Sequence, residues 1–116
     1  MSSKFISGGE LQKRIIEVGH QFGWHLAHFR AMQDRHGVWR TPVAADGAGW
    51  PDLFLVHPRG EFYWREIKGQ HETVRPEQQK WGEWLLEAGC DWAIWRPRQW
   101  EEEIVPLLTF GRGVAL

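Results

Sequence analysis

The stretch at residues 49–68, GWPDLFLVHPRGEFYWREIK, decides how the rest of the chain is read. Two runs rich in Phe, Leu, Val, Tyr and Trp flank Pro58-Arg59-Gly60, a short glycine-containing turn, and that combination predicts a β-hairpin. With His57 opposite Glu61, the pairing runs outward residue by residue and sets Asp52 opposite Glu66. Both carboxylates then share one face, with Cβ atoms about 4.5–5.5 Å apart. Lys68 lies on the face of Glu66, because strands alternate with period two. Like charges placed opposite one another destabilise a sheet, so the pattern makes sense mainly with a positive charge between them, and a divalent cation suits. A two-residue loop would shift the register by one yet keep Glu66 and Lys68 together.

Pro51-Asp52 followed by Glu66-Ile67-Lys68 resembles the PD-(D/E)xK nuclease motif. Downstream stand Pro76-Glu77-Gln78, Trp81, Ala88-Gly89 and Trp95-Arg96-Pro97. Upstream stand Gly23-Trp24, His28-Phe29-Arg30, Trp39-Arg40-Thr41-Pro42 and Gly47-Ala48-Gly49. Together they resemble the small phage and bacterial VRR-NUC proteins of that superfamily, over roughly residues 10–100 of the chain. The resemblance implies an α/β, restriction-endonuclease-like core: a small mixed β-sheet flanked by helices, in the order α-β-β-β-α-β plus a C-terminal helix. It implies a DNA endonuclease dependent on Mg²⁺ or Mn²⁺, with metal ligands Asp52, Glu66 and the backbone carbonyl of Ile67, and with Lys68 and Gln78 as further catalytic residues. It also implies a stand-alone homodimer acting on branched DNA such as a four-way junction.

The residue types fit that chemistry. Phosphodiester hydrolysis needs a hard cation to neutralise the scissile phosphate and acidify an attacking water. Mg²⁺ takes one or two carboxylates plus water and substrate phosphate, which Asp52 and Glu66 can supply. Lys68 is placed to orient the nucleophile or stabilise the pentavalent phosphorus. No Ser/His/Asp or Cys/His nucleophile set is visible, so a covalent mechanism is not expected. A flap or single-strand nuclease, or a DNA-binding module that has lost catalysis, remain the alternative readings.

Composition bounds the problem. The 116 residues suit one domain with a single core. With 42% hydrophobic and 25% charged residues the chain reads as an ordinary globular protein. Its one cysteine, Cys90, cannot form an internal disulfide, which points to a reducing cytoplasm. No long apolar run is present and residues 1–9 lack a signal-peptide pattern, so no membrane association is expected. A net charge of −1 argues against a protein that coats nucleic acid through a basic surface. Residues 1–40, however, hold six Lys/Arg against three acids, so a DNA-binding face is expected there. Nine tryptophans are many for this length; most are expected in the core, with one or two stacking on bases or sealing a dimer interface.

In chain order, a helix is expected from Ser7-Gly8-Gly9-Glu10 to about Phe22, with Leu11, Ile15, Val18 and Phe22 on one stripe. Ser7 and Glu10 fit a capping box, whereas the resemblance makes Glu10 a contributor to the metal site; both readings stay open. A strand follows at residues 25–30. Its His25 and His28 point to opposite faces and make no zinc set, while His28 and Arg30 share a face that suits phosphate contact. Residues 31–50 read as a long connection bearing Arg35, His36 and Arg40, a loop expected to contact DNA. Pro76 opens a second helix with Trp81, Trp84, Leu85 and Ala88 as its buried stripe and Gly89 as its C-cap. Gln78 lies at the third helical position, either capping or reaching into the site. Residues 91–95 form a last core strand and 99–110 a peripheral helix with Glu101-Glu102-Glu103 solvated; residues 111–116 are expected to fray.

Overall fold

A computed structural model describes residues 5–29, 32–40 and 43–112. Helix α1 (Gly8–Gln21) is followed by β1 (His25–His28), the short strands β2 (Met32–Gln33) and β3 (Trp39–Arg40), then β4 (Leu53–His57), β5 (Glu61–Ile67), helix α2 (Pro76–Glu87), β6 (Trp92–Trp95) and helix α3 (Val105–Phe110). The result is an α/β fold in which β1, β4, β5 and β6 form a four-stranded mixed sheet in that order. The hairpin has the expected register, from His57 opposite Glu61 to Leu53 opposite Arg65. Strand β1 pairs antiparallel with β4, and β6 pairs parallel with β5 after the α2 crossover.

Period-two alternation divides the sheet into two faces. Leu53, Leu55, Tyr63, Ile67 and Trp95 point into the core, where Leu11 and Ile15 of α1 and Ile104 and Leu108 of the C-terminal segment meet them. Trp24 joins this core at 2% exposure and donates its indole N–H to the Leu108 carbonyl at 2.8 Å. The C-terminal segment is therefore structural rather than peripheral. A turn at Pro97–Gln99, a widened π-helical turn at Trp100–Ile104 and α3 together swing Ile104 and Leu108 inward, leaving Glu101, Glu102 and Glu103 exposed as expected. Arg112 is likewise tied down, pairing with Asp91 and donating its N–H to Glu61; residues 113–116 lie outside the described residues.

The other face carries a different kind of packing. Trp50, Trp64, Phe29, Phe54 and Trp81 meet edge-on or tilted, apart from the stacked pair Phe29–Trp64, with centroids 4.6–6.2 Å apart. Helix α2 covers only the β6 side of this face, and it does so through Gln78 and Gly82. A Cβ on Gly82 would come within 2.5 Å of the Trp92 indole, so the close helix–strand approach requires glycine. That contact turns α2 away from the apolar stripe expected from its sequence: Trp84 is 47% exposed and Ala88 faces solvent. Of the nine tryptophans, only Trp24, Trp92 and Trp95 are buried.

Residues 32–40 are more ordered than a plain connection. Strands β2 and β3 pair antiparallel, and the turn between them is closed by Asp34, whose Oδ1 accepts from the N–H groups of His36 and Val38. The chain then runs under α2: a Cβ on Gly49, at φ +85°, would lie 2.4 Å from the Glu77 backbone, so the approach to Asp52 is fixed by contact.

Candidate active site

The sheet opens between the N-termini of α1 and α2, where a cleft of about 580 Å³ is lined by Ser7, Gly8, Gln12, Asp52, Glu66 and Lys68 among others. Each side chain arrives there for a local reason. Asp52 immediately precedes β4 and bridges to β5, its Oδ2 accepting the Ile67 N–H at 2.9 Å. Within a strand the N–H and C=O of one residue point to the same side, so the Ile67 carbonyl lies on the Asp52 side of β5. Glu66 and Lys68 follow on the opposite face of β5 from the core residues Tyr63, Arg65 and Ile67, and are only 1% and 4% exposed. The Lys68 N–H donates to Trp95 at 3.0 Å and its Nζ reaches Glu72 at 3.4 Å, with Glu72 held in turn by the Gly69 N–H.

Gln78 serves two functions that the sequence presents as alternatives. Its Oε1 accepts the Arg75 N–H at 2.9 Å, capping α2, while its Nε2 donates to Glu66 Oε1 at 3.0 Å. An amide carries both a donor and an acceptor, so one side chain satisfies both contacts. Glu10 does not combine its two readings. Its backbone N–H is capped by Ser7 at 3.1 Å, and its side chain is exposed and 3.9 Å from Arg14, away from the cleft.

The cleft position on α1 belongs to Gln12, which sequence reasoning missed. Its Nε2 is buried without a partner. Gln12 lies one turn beyond Gly8, and Gly8 packs 3.0 Å (measured to an ideal Cβ) from the Gly69 backbone, so the i,i+4 spacing carries the signal. Arg75 lines the cleft as well, beside Gln78. The expected DNA contacts are only partly placed. His28 lines the same cleft and Arg35 is exposed on the β2–β3 turn; Arg30 and the Arg40 side chain lie outside the described residues.

The electrostatics favour a cation beside an anion. Burial pushes the Glu66 carboxyl up from 4.5 to about 9, and the hydrogen bond and negative charge of Asp52 push the same way, against the weaker pull of Lys68 and Arg75. Its Oε2 is buried, and among the described residues no N–H or hydroxyl donor reaches it. A carboxylate pair with one orphaned oxygen fits a hard divalent cation, which needs oxygen ligands and supplies the missing counter-charge. Among the described residues no group of three or more His, Cys, Asp or Glu side chains gathers, so a cation here would rest on two carboxylates and the backbone oxygen. The start of α1 lines the cleft through Ser7, Gly8 and Gly9, and its positive dipole end suits phosphate.

The raised Glu66 value fixes a sign. The folded protein holds a proton that the unfolded chain releases above 4.5, so this group's contribution is complete below that pH and is lost as pH rises toward about 9. The metal-free wild type should therefore lose stability relative to Glu66→Gln across that window, by roughly 4 °C in Tm per pH unit. Parallel melting curves of the two proteins from pH 5 to pH 9 would contradict the buried, protonated Glu66.

No family model, no curated protein and no solved structure matches the chain.

Proposed function

We propose that the chain is a Mg²⁺- or Mn²⁺-dependent deoxyribonuclease with a restriction-endonuclease-like core, cutting branched DNA as a homodimer in the cytoplasm of a bacterial or phage-infected cell. The observation that carries this reading is Glu66 Oε2, a carboxylate oxygen buried with no N–H or hydroxyl donor among the described residues and set against a second carboxylate at the open end of the sheet. A divalent cation bound there would neutralise the scissile phosphate and lower the pKa of an attacking water.

The chain's own residues then have separable tasks. Asp52, Glu66 and the Ile67 carbonyl would hold the cation. Gln78 fixes the Glu66 rotamer from behind, which keeps the orphaned oxygen directed into the cleft. Lys68 presents a buried ammonium on the same strand face, oriented by Glu72, where it can neutralise a phosphate oxygen or position the nucleophile. Gly8 and Gly9 at the start of α1, with Gln12 behind them, can offer N–H donors to the phosphate. The test is a panel of linear, flap and four-way DNAs incubated with Mg²⁺ or Mn²⁺; a folded protein that cleaves none of them overturns the reading.

The dimer rests on exposed aromatic side chains: Phe62 on β5 and Trp84 on α2 are 46% and 47% exposed. Resolving a four-way junction needs two coordinated cuts, and a two-fold dimer presents two identical sites. Light scattering at micromolar concentration should give twice the chain mass, and Phe62→Glu with Trp84→Glu should halve it. A wild-type monomer that only nicks a cruciform plasmid would remove the dimer and leave the nuclease.

A further inference from the structure

A second cleft, of about 770 Å³, adjoins the first and shares Asp52, Arg75 and Gln78 with it. One wall is the β2–β3 hairpin, which contributes Met32 and Trp39; the other is the loop that runs through Trp50 to Asp52. Its size falls in the range of small-ligand sites, about 300–1,000 Å³. Trp39 is the most exposed large hydrophobic residue among those described, at 67%, and Met32 beside it is 59% exposed. Among the described residues no other element covers either of them. The acidic groups on the walls are already engaged: Asp34 Oδ1 closes its turn, and Glu77 pairs with Arg75 at 3.4 Å. Arg35 and His36 stand exposed at the hairpin tip.

We propose that this cleft is a base-binding subsite, in which an unpaired nucleobase of the substrate strand stacks on the Trp39 indole while the phosphate next to it lies at Asp52 and Glu66. The inference rests on the nuclease reading and narrows its substrate to DNA that is unpaired beside the cut. An indole standing free at the rim of a cleft offers a π-face, and only an unpaired base can offer its own face in return. A paired base keeps both faces inside the duplex stack, so a fully paired strand would pass the rim without entering. The basic hairpin tip supplies phosphate contacts to the strand on the far side of the stacked base. The approach of Gly49 to α2 fixes the wall that runs through Trp50 to Asp52.

The test compares wild type, Trp39→Ala and Trp39→Phe on three DNAs: a paired duplex, the same duplex with one unpaired arm, and that arm with an abasic residue beside the cut. Binding is measured by anisotropy of labelled DNA in calcium, and KM and kcat in magnesium. Trp39→Ala should weaken binding of the unpaired arm roughly 5- to 100-fold, as loss of one base–aromatic stack does, and raise KM with little change in kcat. Trp39→Phe should restore most of it, and the abasic residue should weaken wild type but not Trp39→Ala. Equal binding of paired and unpaired DNA by wild type, or an abasic effect of the same size in all three proteins, overturns the subsite. If the unpaired arm is cut in an Asp52-dependent way without regard to Trp39, the subsite falls and the nuclease stands; if no DNA is bound or cut by the folded wild type, both fall.

Discussion

Alanine at Asp52 or at Glu66 should abolish metal-dependent DNA cleavage, by on the order of a hundredfold to a thousandfold, because each removes charge from a site worth several kcal/mol of transition-state stabilisation. The two variants should nevertheless differ in stability, which separates their chemistry from their packing. Asp52→Ala deletes the acceptor of the Ile67 N–H, and a lost hydrogen bond of that kind costs about 1 kcal/mol. Glu66→Ala instead removes a buried group whose ionisation is unfavourable, so in metal-free buffer at high pH the loss of its packing is partly offset. Lys68→Ala should reduce rate more than metal affinity, since its ammonium pairs with Glu72 rather than with either carboxylate. Calcium should support DNA binding without turnover, because it accepts the same oxygen ligands in looser geometry. Folded Asp52→Ala and Glu66→Ala proteins that cleave at wild-type rate would remove the site assignment altogether.

What the sequence discloses about this protein follows from which physical signals are local. The hairpin is legible because alternation of period two and a three-residue glycine turn fix both its existence and its register, and the Asp52–Glu66 apposition comes with it. Helix α1 is legible through Ser7 and the Leu11–Ile15 stripe. The facing of α2 is not, because a reading that weights large apolar residues takes Trp84 as core. The contact that orients the helix is made by Gly82, which has no side chain to signal it. The core role of Ile104 and Leu108 is hidden for a related reason: three glutamates precede them, and the widening of the turn that points them inward depends on tertiary contact. The tryptophans run the other way. Nine of them suggest a crowded core, yet only three are buried: Trp50, Trp64 and Trp81 pack on one another half-buried, Trp100 packs against the core, and Trp39 and Trp84 stand exposed.

Gln78→Ala should lower both stability and rate, because this one amide caps α2 and supports Glu66. Losing the cap costs about 1 kcal/mol, and leaving the buried Glu66 oxygen without its donor adds about 1–3 kcal/mol, so Tm should fall by roughly 10 °C. A drop in rate measured well below the new Tm would then report the loosened carboxylate rather than unfolding. Gln78→Glu separates the two functions. Its carboxylate can still accept the Arg75 N–H and preserve the helix start, but it has no N–H for Glu66 and adds a third negative charge beside Asp52. It should therefore be less harmful than alanine to α2, and should slow cleavage even at saturating metal, because extra carboxylate charge strengthens cation binding while it disturbs the ligand geometry. If Gln78→Glu instead melts as early as Gln78→Ala and cleaves like wild type, Gln78 is a structural cap whose contact with Glu66 has no catalytic consequence.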